Sequence, residues 1–573
     1  MRRACTTDAT RKHGIRRNSD TGSVRDLTPK RNGNAWWRGL WSRVSALRFA
    51  SKPEFLTQAA AAERYTTFVN DALALRAAAG TEQAVEHLAV SLKMKRYPEP
   101  LERKRERGQK MSSLVLPSVD AAHGWIRYAV QHGLRSLAVK LRLPARAYRH
   151  GFGLPVMLLG GLPSSEKLET MCLGLGGATV ALPAAAQFAS LTDLSLERIV
   201  IADGGGDDSF ARLLSSACCP RLQKLRLANL TVVGPSAKLV LEADALSELW
   251  MERITQLEFL ELRTPNLRVL DIKSWSCDHL EALTIAAPRL EELTCLCLYL
   301  PLPIDVIGAL SCVWNLKLEL YSHSDSDDDE INDDSLHLLR CCSSVVRCLD
   351  VSLQAIPTKE QIVDLIEGRI PQLPHLTSFT IHASLWDQRS LGAGIASLLA
   401  QCGNLRYLGL HLEHHTTRYL DLEDDPDLYS FVCDRLDAWK SHAISLVHLQ
   451  EVELKGLIGS ACELRFIQFV LAGAKELQKV TLSSNPEYWW LQRNKDAFKL
   501  VPLQGNEIWK HPGSLANDSS NLLPFPIRLP CRCPHGAWRR RFLSREWKSS
   551  DGDDRAGEAW RFGIHDWWRV STS

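Results

Sequence analysis

The chain has 573 residues, 45% of them hydrophobic and 24% charged, close to the globular average. That composition excludes a wholly disordered, collagen-like or disulfide-scaffold protein. The 69 Lys plus Arg nearly balance the 66 Asp plus Glu, and a net charge of +3 gives no global case for a nucleic-acid partner.

Residues 1–35 carry Arg2, Arg3, Arg11, Lys12, Arg16 and Arg17 among Ser, Thr, Gly and Asn, with no apolar run. They read as a disordered basic leader and not as a secretory signal. A nuclear-import patch or a transit peptide is the alternative. In the next segment Trp37 and Trp41 are four apart and would share one face of a helix. The basic cluster Arg103, Lys104, Arg105, Arg107 and Lys110 reads as a solvated linker, with nuclear import again the alternative.

From about residue 125 a recurring L-x-x-L-x-L dominates. Clear copies are Leu191, Leu194, Leu196; Leu222, Leu225, Leu227; Leu246, Leu249, Met251; Leu267, Leu270, Ile272; and Leu290, Leu293, Cys295. Further copies run through Val313, Val346, Leu376, Leu405 and Leu449 to Leu477, Val480, Leu482. From Leu222 to Val313 the steps are 24, 21, 23 and 23 residues, the leucine-rich-repeat period. One strand and its return cannot bury their apolar face alone, so the units must stack into a curved solenoid. Strand alternation turns the last two apolar positions of each copy inward, and the residues between and after them outward on the concave face. The uncharged run Thr170–Thr192 overlaps this pattern and holds Gly174, Gly176, Gly177 and Pro183, so it reads as repeat and not as a membrane span.

Half-step copies at Leu257, Leu260, Leu262 and Leu280, Leu283, Ile285 predict extended returns on the convex side. Residues 207–218, 389–402 and 461–474 have helical apolar spacing. The fold class expected is α/β, a leucine-rich-repeat solenoid with a remnant N-terminal helical module.

The stretches Leu257–Asp271, Ala287–Leu293, His448–Gly456 and Ala474–Leu482 resemble plant F-box/leucine-rich-repeat proteins, especially those of grasses. The last block is similar to the FBD segment that closes many of them. Trp125–Leu137 looks like the family's helix and first strand, and Trp36–Phe49 like the end of its F-box. Residues 1–35 show neither the Leu-Pro-Asp-like start nor the first apolar helix, so the F-box is N-terminally truncated. The resemblance implies domains at 36–56 (partial F-box), 57–124 (helical linker) and 125–485 (repeats, with 440–485 FBD-like), then a Trp/Arg-rich tail at 486–573, expected to be disordered. It implies a substrate-receptor subunit of an SCF-type cullin–RING ubiquitin ligase, with a Skp-type adaptor and an unknown protein substrate as partners. The adaptor-binding candidates are Trp37, Leu40 and Trp41, whose face meets either the adaptor or the first repeats. An interaction scaffold that has lost adaptor binding is the alternative function.

The target would bind outward residues of the concave strands. Trp250 and Tyr407 are the expected apolar anchors, Arg226, Asp271 and Lys273 would set charge complementarity, and His411 stands beside them. No catalytic, cofactor or metal pattern is complete. Gly174-Leu-Gly-Gly177 fails the dinucleotide fingerprint at Thr179. Asp203–Asp207 lacks a phosphate-binding lysine. The alternating Asp325, Asp327 and Asp329 lack the glycine and glutamate of a calcium loop, so Ser322–Asp334 reads as an acidic loop. His411, Glu413 and His415 alternate, but a surface loop after Leu410 is expected to separate them. Cys531-Arg-Cys533-Pro-His535 has no second ligand pair. The sixteen cysteines, Cys172, Cys295 and Cys297 among them, read as reduced, buried thiols of a cytoplasmic or nuclear protein. No enzyme activity, cofactor, nucleic acid or membrane is implied.

Overall fold

The computed structural model describes residues 44–51, 59–78, 84–93, 104–142, 156–158, 164–181, 187–202, 209–233, 238–273, 280–296, 303–323, 332–355, 366, 368–386, 392–415, 444–457, 461–484, 542–548 and 563–565. The chain divides into two compact units: Met1–Leu267 with Asp278–Glu281, and Arg268–Cys277 with Ala282–Ser573. Each is a sheet of leucine-rich repeats.

In the first unit, β1 (Ala46–Ala50), β2 (His87–Lys93), β3 (Ser136–Arg142), β5 (Thr170–Ala181), β6 (Asp193–Ala202), β7 (Lys224–Val233) and β9 (Glu248–Thr255) pair in parallel and in that order. A short β4 (Val156–Leu158) pairs with the end of β5. The sheet therefore begins N-terminal to the boundary expected at residue 125, because Leu47, Phe49 and Leu88, Val90, Leu92 alternate inward like the later leucines. Two helices accompany these first strands, α1 (Ala59–Ala78) and α2 (Lys104–Gln131). The basic cluster expected to lie in a linker mostly falls on the first turns of α2. Trp125, 1% exposed, donates its indole N–H to Asn70 Oδ1 at 2.7 Å and ties α2 to α1. Phe68 meets Phe49 edge-on at 5.9 Å, and the Tyr65 hydroxyl donates to the Ser91 carbonyl at 3.1 Å, so α1 is seated on β1 and β2.

The second unit carries β11 (Val269–Lys273), β13 (Glu292–Leu296), β15 (Asn315–His323), β16 (Cys348–Ala355), β17 (Ser378–Trp386), β18 (Tyr407–His415), β19 (Glu451–Leu457) and β20 (Lys479–Ser484), again parallel and in order. Backbone strands β21 (Phe542–Lys548) and β22 (Gly563–His565) follow β20 in antiparallel sense. The half-step leucines form return strands as expected. These are β8 (Lys238–Glu242) with β10 (Phe259–Arg263) in the first unit, and β12 (Ala282–Ala286) with β14 (Ile304–Val306) in the second. Longer returns are helical: α3 (Ser209–Leu214), α4 (Asp333–Cys342), α5 (Gly392–Leu399) and α6 (Ala461–Gly473). Three of these answer the sequence expectation. α4 begins inside the segment expected to be an acidic loop. There buried Asn332 accepts the Tyr321 N–H at 2.8 Å and donates to the Tyr321 carbonyl at 2.7 Å, clamping the helix start to β15. No described helix is long and apolar enough to cross a membrane.

One hydrogen-bond device sets the register throughout. The carbonyl just before a strand accepts two successive N–H groups from the next repeat: Thr192 from Gln223 and Lys224, Gln223 from Ser247 and Glu248, Trp314 from Arg347 and Cys348, Thr377 from Arg406 and Tyr407. The leucines then stack rung on rung, and Leu225, Leu249, Leu293, Leu316 and Leu408 are at most 1% exposed.

Bulges end the open part of several strands. Arg198, Asn229 and Arg253 occupy one register level of β6, β7 and β9 with φ of 54, 53 and 53°. Each resets the alternation, so Leu227, Ala228 and Leu230 are all buried. In β5 the pair Gly176 and Gly177 does the same over a longer register shift, which is the local role of the glycine cluster. Of the described cysteines, Cys218, Cys219, Cys295, Cys342 and Cys402 are buried and Cys312 is exposed, and burial pushes the Cys342 and Cys402 thiols up to about 12. Cys172, expected to be buried, is only partly so, because its register position faces outward beside Ala138 and Ser195. Cys297, Cys531, Cys533, His535 and Asp203–Asp207 lie outside the described residues.

Gly456 in β19 has φ of 78°, and a Cβ there would fall inside contact distance of the Leu412 backbone carbonyl. Gly456→Ala should destabilise the protein by about 3 kcal/mol, through left-handed strain and backbone displacement together. Gly124→Ala, in α2 with nothing within 4 Å of the new Cβ, should stabilise by about 0.5–1 kcal/mol. Denaturant midpoints of the two variants test the contrast.

Candidate functional site

The rungs that align the leucines also align the residues between them, so outward side chains from successive repeats become neighbours. In the first unit one row reads Arg48, Ala89, Ala138, Cys172, Ser195, Arg226, Trp250. Arg226 and Trp250 are thus register partners. Arg226 is exposed, Trp250 is partly buried, and Arg226 makes no ion pair among the described residues. Two residues earlier on each strand, Lys224 pairs with Glu248 at 3.1 Å.

In the second unit Asp271 and Lys273, two apart on β11, bind each other at 2.6 Å. Tyr407 and His411 lie on β18 and converge on a residue of the next strand. The Tyr407 hydroxyl donates to Glu453 Oε2 at 3.0 Å, and His411 Nε2 lies 3.2 Å from the same oxygen. Lys455 Nζ reaches it at 3.0 Å. On the opposite side His382 stands edge-to-face with His411, ring centroids 4.6 Å apart, and its Nε2 is 3.2 Å from Asp350 Oδ1. Asp350 Oδ2 takes Lys317 at 2.8 Å. The result is a chain of contacts over five strands, Lys317–Asp350–His382–His411–Glu453–Lys455, with Tyr407 beside it. Gly409 makes room: a Cβ there would lie 3.1 Å from the Tyr407 hydroxyl and 3.3 Å from Thr380.

The environment separates the charges cleanly. Burial raises the Glu453 carboxyl, but hydrogen bonds from Lys455, His411 and Tyr407 outweigh it and hold it below the usual carboxylate range. Asp350 behaves alike, with His382 and Lys317 overcoming its burial. His411 is shifted down, first by burial and then by His382 and Lys455, against the pull of Glu453. Burial, the hydrogen bond to Glu453 and nearby carboxylates push the Tyr407 phenol up. At neutral pH the cluster therefore holds ionised carboxylates, a neutral His411 and a neutral phenol. It is built to present hydrogen-bonding groups.

Of the six partner-binding candidates, the structure brings together Arg226 with Trp250, Asp271 with Lys273, and Tyr407 with His411. Tyr407, expected as an apolar anchor, also has its hydroxyl engaged. The sequence reading passed over Lys317, Asp350, His382, Glu453 and Lys455. Their signal was present: aligning the repeat copies places Lys317, Asp350 and Glu453 at the same position between the last two apolar residues. The loop expected after Leu410 is instead strand, because β18 pairs with β17 as far as Trp386 and His415. No group of three or more His, Cys, Asp or Glu is disposed to hold a metal among the described residues. Trp37, Leu40 and Trp41 lie outside the described residues.

Residues 122–310 match the family described as FBD-associated F-box protein At5g56370, LRR repeats. The matched span runs from within α2 to just past β14. The chain carries leucine-rich repeats. Comparison with curated proteins gives no match.

The pH response follows from the shifts. His411 titrates lower folded than unfolded, so the unfolded chain takes up more protons as pH falls through about 6.5. Stability should fall over that window, and again as pH falls from about 4 through the depressed folded values of Asp350 and Glu453. His411→Gln should reduce the first step to the part that His123, also shifted down by burial, contributes, and leave the second, read from unfolding midpoints across pH.

Proposed function

We propose that this protein is a substrate-receptor subunit of an SCF-type cullin–RING ubiquitin ligase, holding a protein target on the open face of its repeats. The observation that carries the reading is the match of residues 122–310 to F-box-associated repeats. The stretch Trp36–Phe49 supports it by resembling an F-box ending, as does the FBD-like order of strand, helix and strand at β19, α6 and β20. On this reading the chain has no chemistry of its own and works in the cytoplasm or nucleus of a plant cell. A Skp-type adaptor docks through Trp37, Leu40 and Trp41, and the outward residues Arg226, Trp250, Asp271, Lys273, Tyr407 and His411 belong to the target-binding surface.

A second reading has its own support. Ala46–Ala50, at the end of the F-box-like stretch, is strand β1 and is paired along its length with β2. A segment committed to the repeat sheet suits a scaffold that recognises partners without the adaptor. Capture of the full chain by purified Skp-type adaptor separates the two. A Trp37→Ala/Trp41→Ala variant leaves β1 intact and should lose capture by at least tenfold if the receptor reading holds. Equal capture of both proteins, or capture of neither, favours the scaffold.

A further inference from the structure

Among the described side chains, the open face of the second unit has four lysines at its outward register positions, and all four are engaged. Lys273 holds Asp271 at 2.6 Å, Lys317 holds Asp350 at 2.8 Å, Lys455 holds Glu453 at 3.0 Å, and Lys479 holds Glu451 at 3.6 Å. Two further carboxylates, Glu292 and Glu413, occupy outward positions and have no lysine partner among the described residues. Histidines aside, these four cations face six anions among the described side chains, an excess of two negative charges. Arg268, Arg347 and Arg406 each stand one residue ahead of a strand, at the sheet's entry edge.

The unused hydrogen-bonding capacity is of one kind. Glu453 receives Tyr407, His411 and Lys455 all on Oε2. Its Oε1 has no partner among the described residues. Exposed Glu413 has no ion pair there either. With Nε2 of His411 donating to Glu453, its neutral ring keeps Nδ1 as an acceptor. Tyr407 lies along the sheet with its hydroxyl over Gly409, which offers an aromatic face beside Glu451 and Glu453. Carboxylates around an aromatic ring suit a guanidinium, which pairs with the former and stacks on the latter.

We propose that the open face of β16–β19 binds an extended, arginine-bearing segment of a partner protein. This names the chemical class of target within the receptor reading, yet it rests on the face alone and survives if adaptor binding fails. Donors on the segment meet Glu453 Oε1, Glu413 and Glu451. Its positive charge answers the excess of negative charge among the described side chains of the face.

Fluorescence anisotropy tests it, using the full chain and a short labelled peptide of alternating arginine and serine at physiological salt, with a glutamate–serine peptide as counterpart. Binding of the arginine peptide alone is expected. Glu413→Gln/Glu453→Gln should weaken it about tenfold, on the scale of two partly exposed ion pairs. Glu413→Gln by itself removes an exposed, unpaired carboxylate and cannot disturb the cluster, and it should weaken binding about threefold. A charge-matched control, Glu197→Gln/Glu252→Gln on the first unit, should leave binding unchanged. Equal loss in the control, no loss in the Glu413 variants, or no preference between peptides overturns the proposal. Loss of adaptor capture with peptide binding intact would sink only the ligase reading.

Discussion

Everything in this protein hangs on a carbonyl that accepts two successive N–H groups from the next repeat. Ser45 does this for Glu86 and His87 at one end of the first unit, and Gln450 for Gln478 and Lys479 near the end of the second. Each acceptor fixes where the next strand enters. A one-residue slip would turn every leucine of a strand outward, so the device and the L-x-x-L-x-L spacing enforce each other. Burial of each core leucine is worth about 1.5–3 kcal/mol, and the rungs let that gain recur at every repeat.

The same register builds the outward face without further design. Side chains from strands far apart in sequence arrive at one level or the next, which is how Lys317 reaches Asp350 and Tyr407 reaches Glu453. Such partly exposed pairs add about 0–1 kcal/mol each to stability. Their larger effect is on what the surface presents. By tying up the lysines they leave carboxylate oxygens and aromatic rings outermost. The short strands β11 and β13 end at the level of His382 and His411, at Lys273 and Leu296, whereas β15 to β18 continue past it.

Departures from regular repeats are local and have local causes. Three non-glycine residues in left-handed conformation line up at one level of β6, β7 and β9, where neighbouring strands must turn together. Gly456 serves a bend in β19 that a Cβ would block. Asn332 replaces missing strand partners at the end of β15 with its own amide, and so joins an acidic connection to a helix. Local propensity alone does not reveal these features, since Arg198 and Arg253 have no intrinsic reason to be left-handed.

What the sequence determined by itself is the repeat: its period, its inward leucines, the extended half-step returns at Leu260 and Leu283, and the helices near 209, 392 and 461. Spacing is sufficient there because burial acts on one periodic variable. It also marked Arg226, Trp250, Asp271, Lys273, Tyr407 and His411 as outward. Tertiary structure alone decided where the sheet begins, since Leu47–Phe49 and Leu88–Leu92 are too short to stand out until they pair. It alone decided which outward residues touch, because returns of unequal length separate Lys317, Asp350, His382, His411 and Glu453 in the chain. Only parallel pairing brings them to adjacent levels of one face.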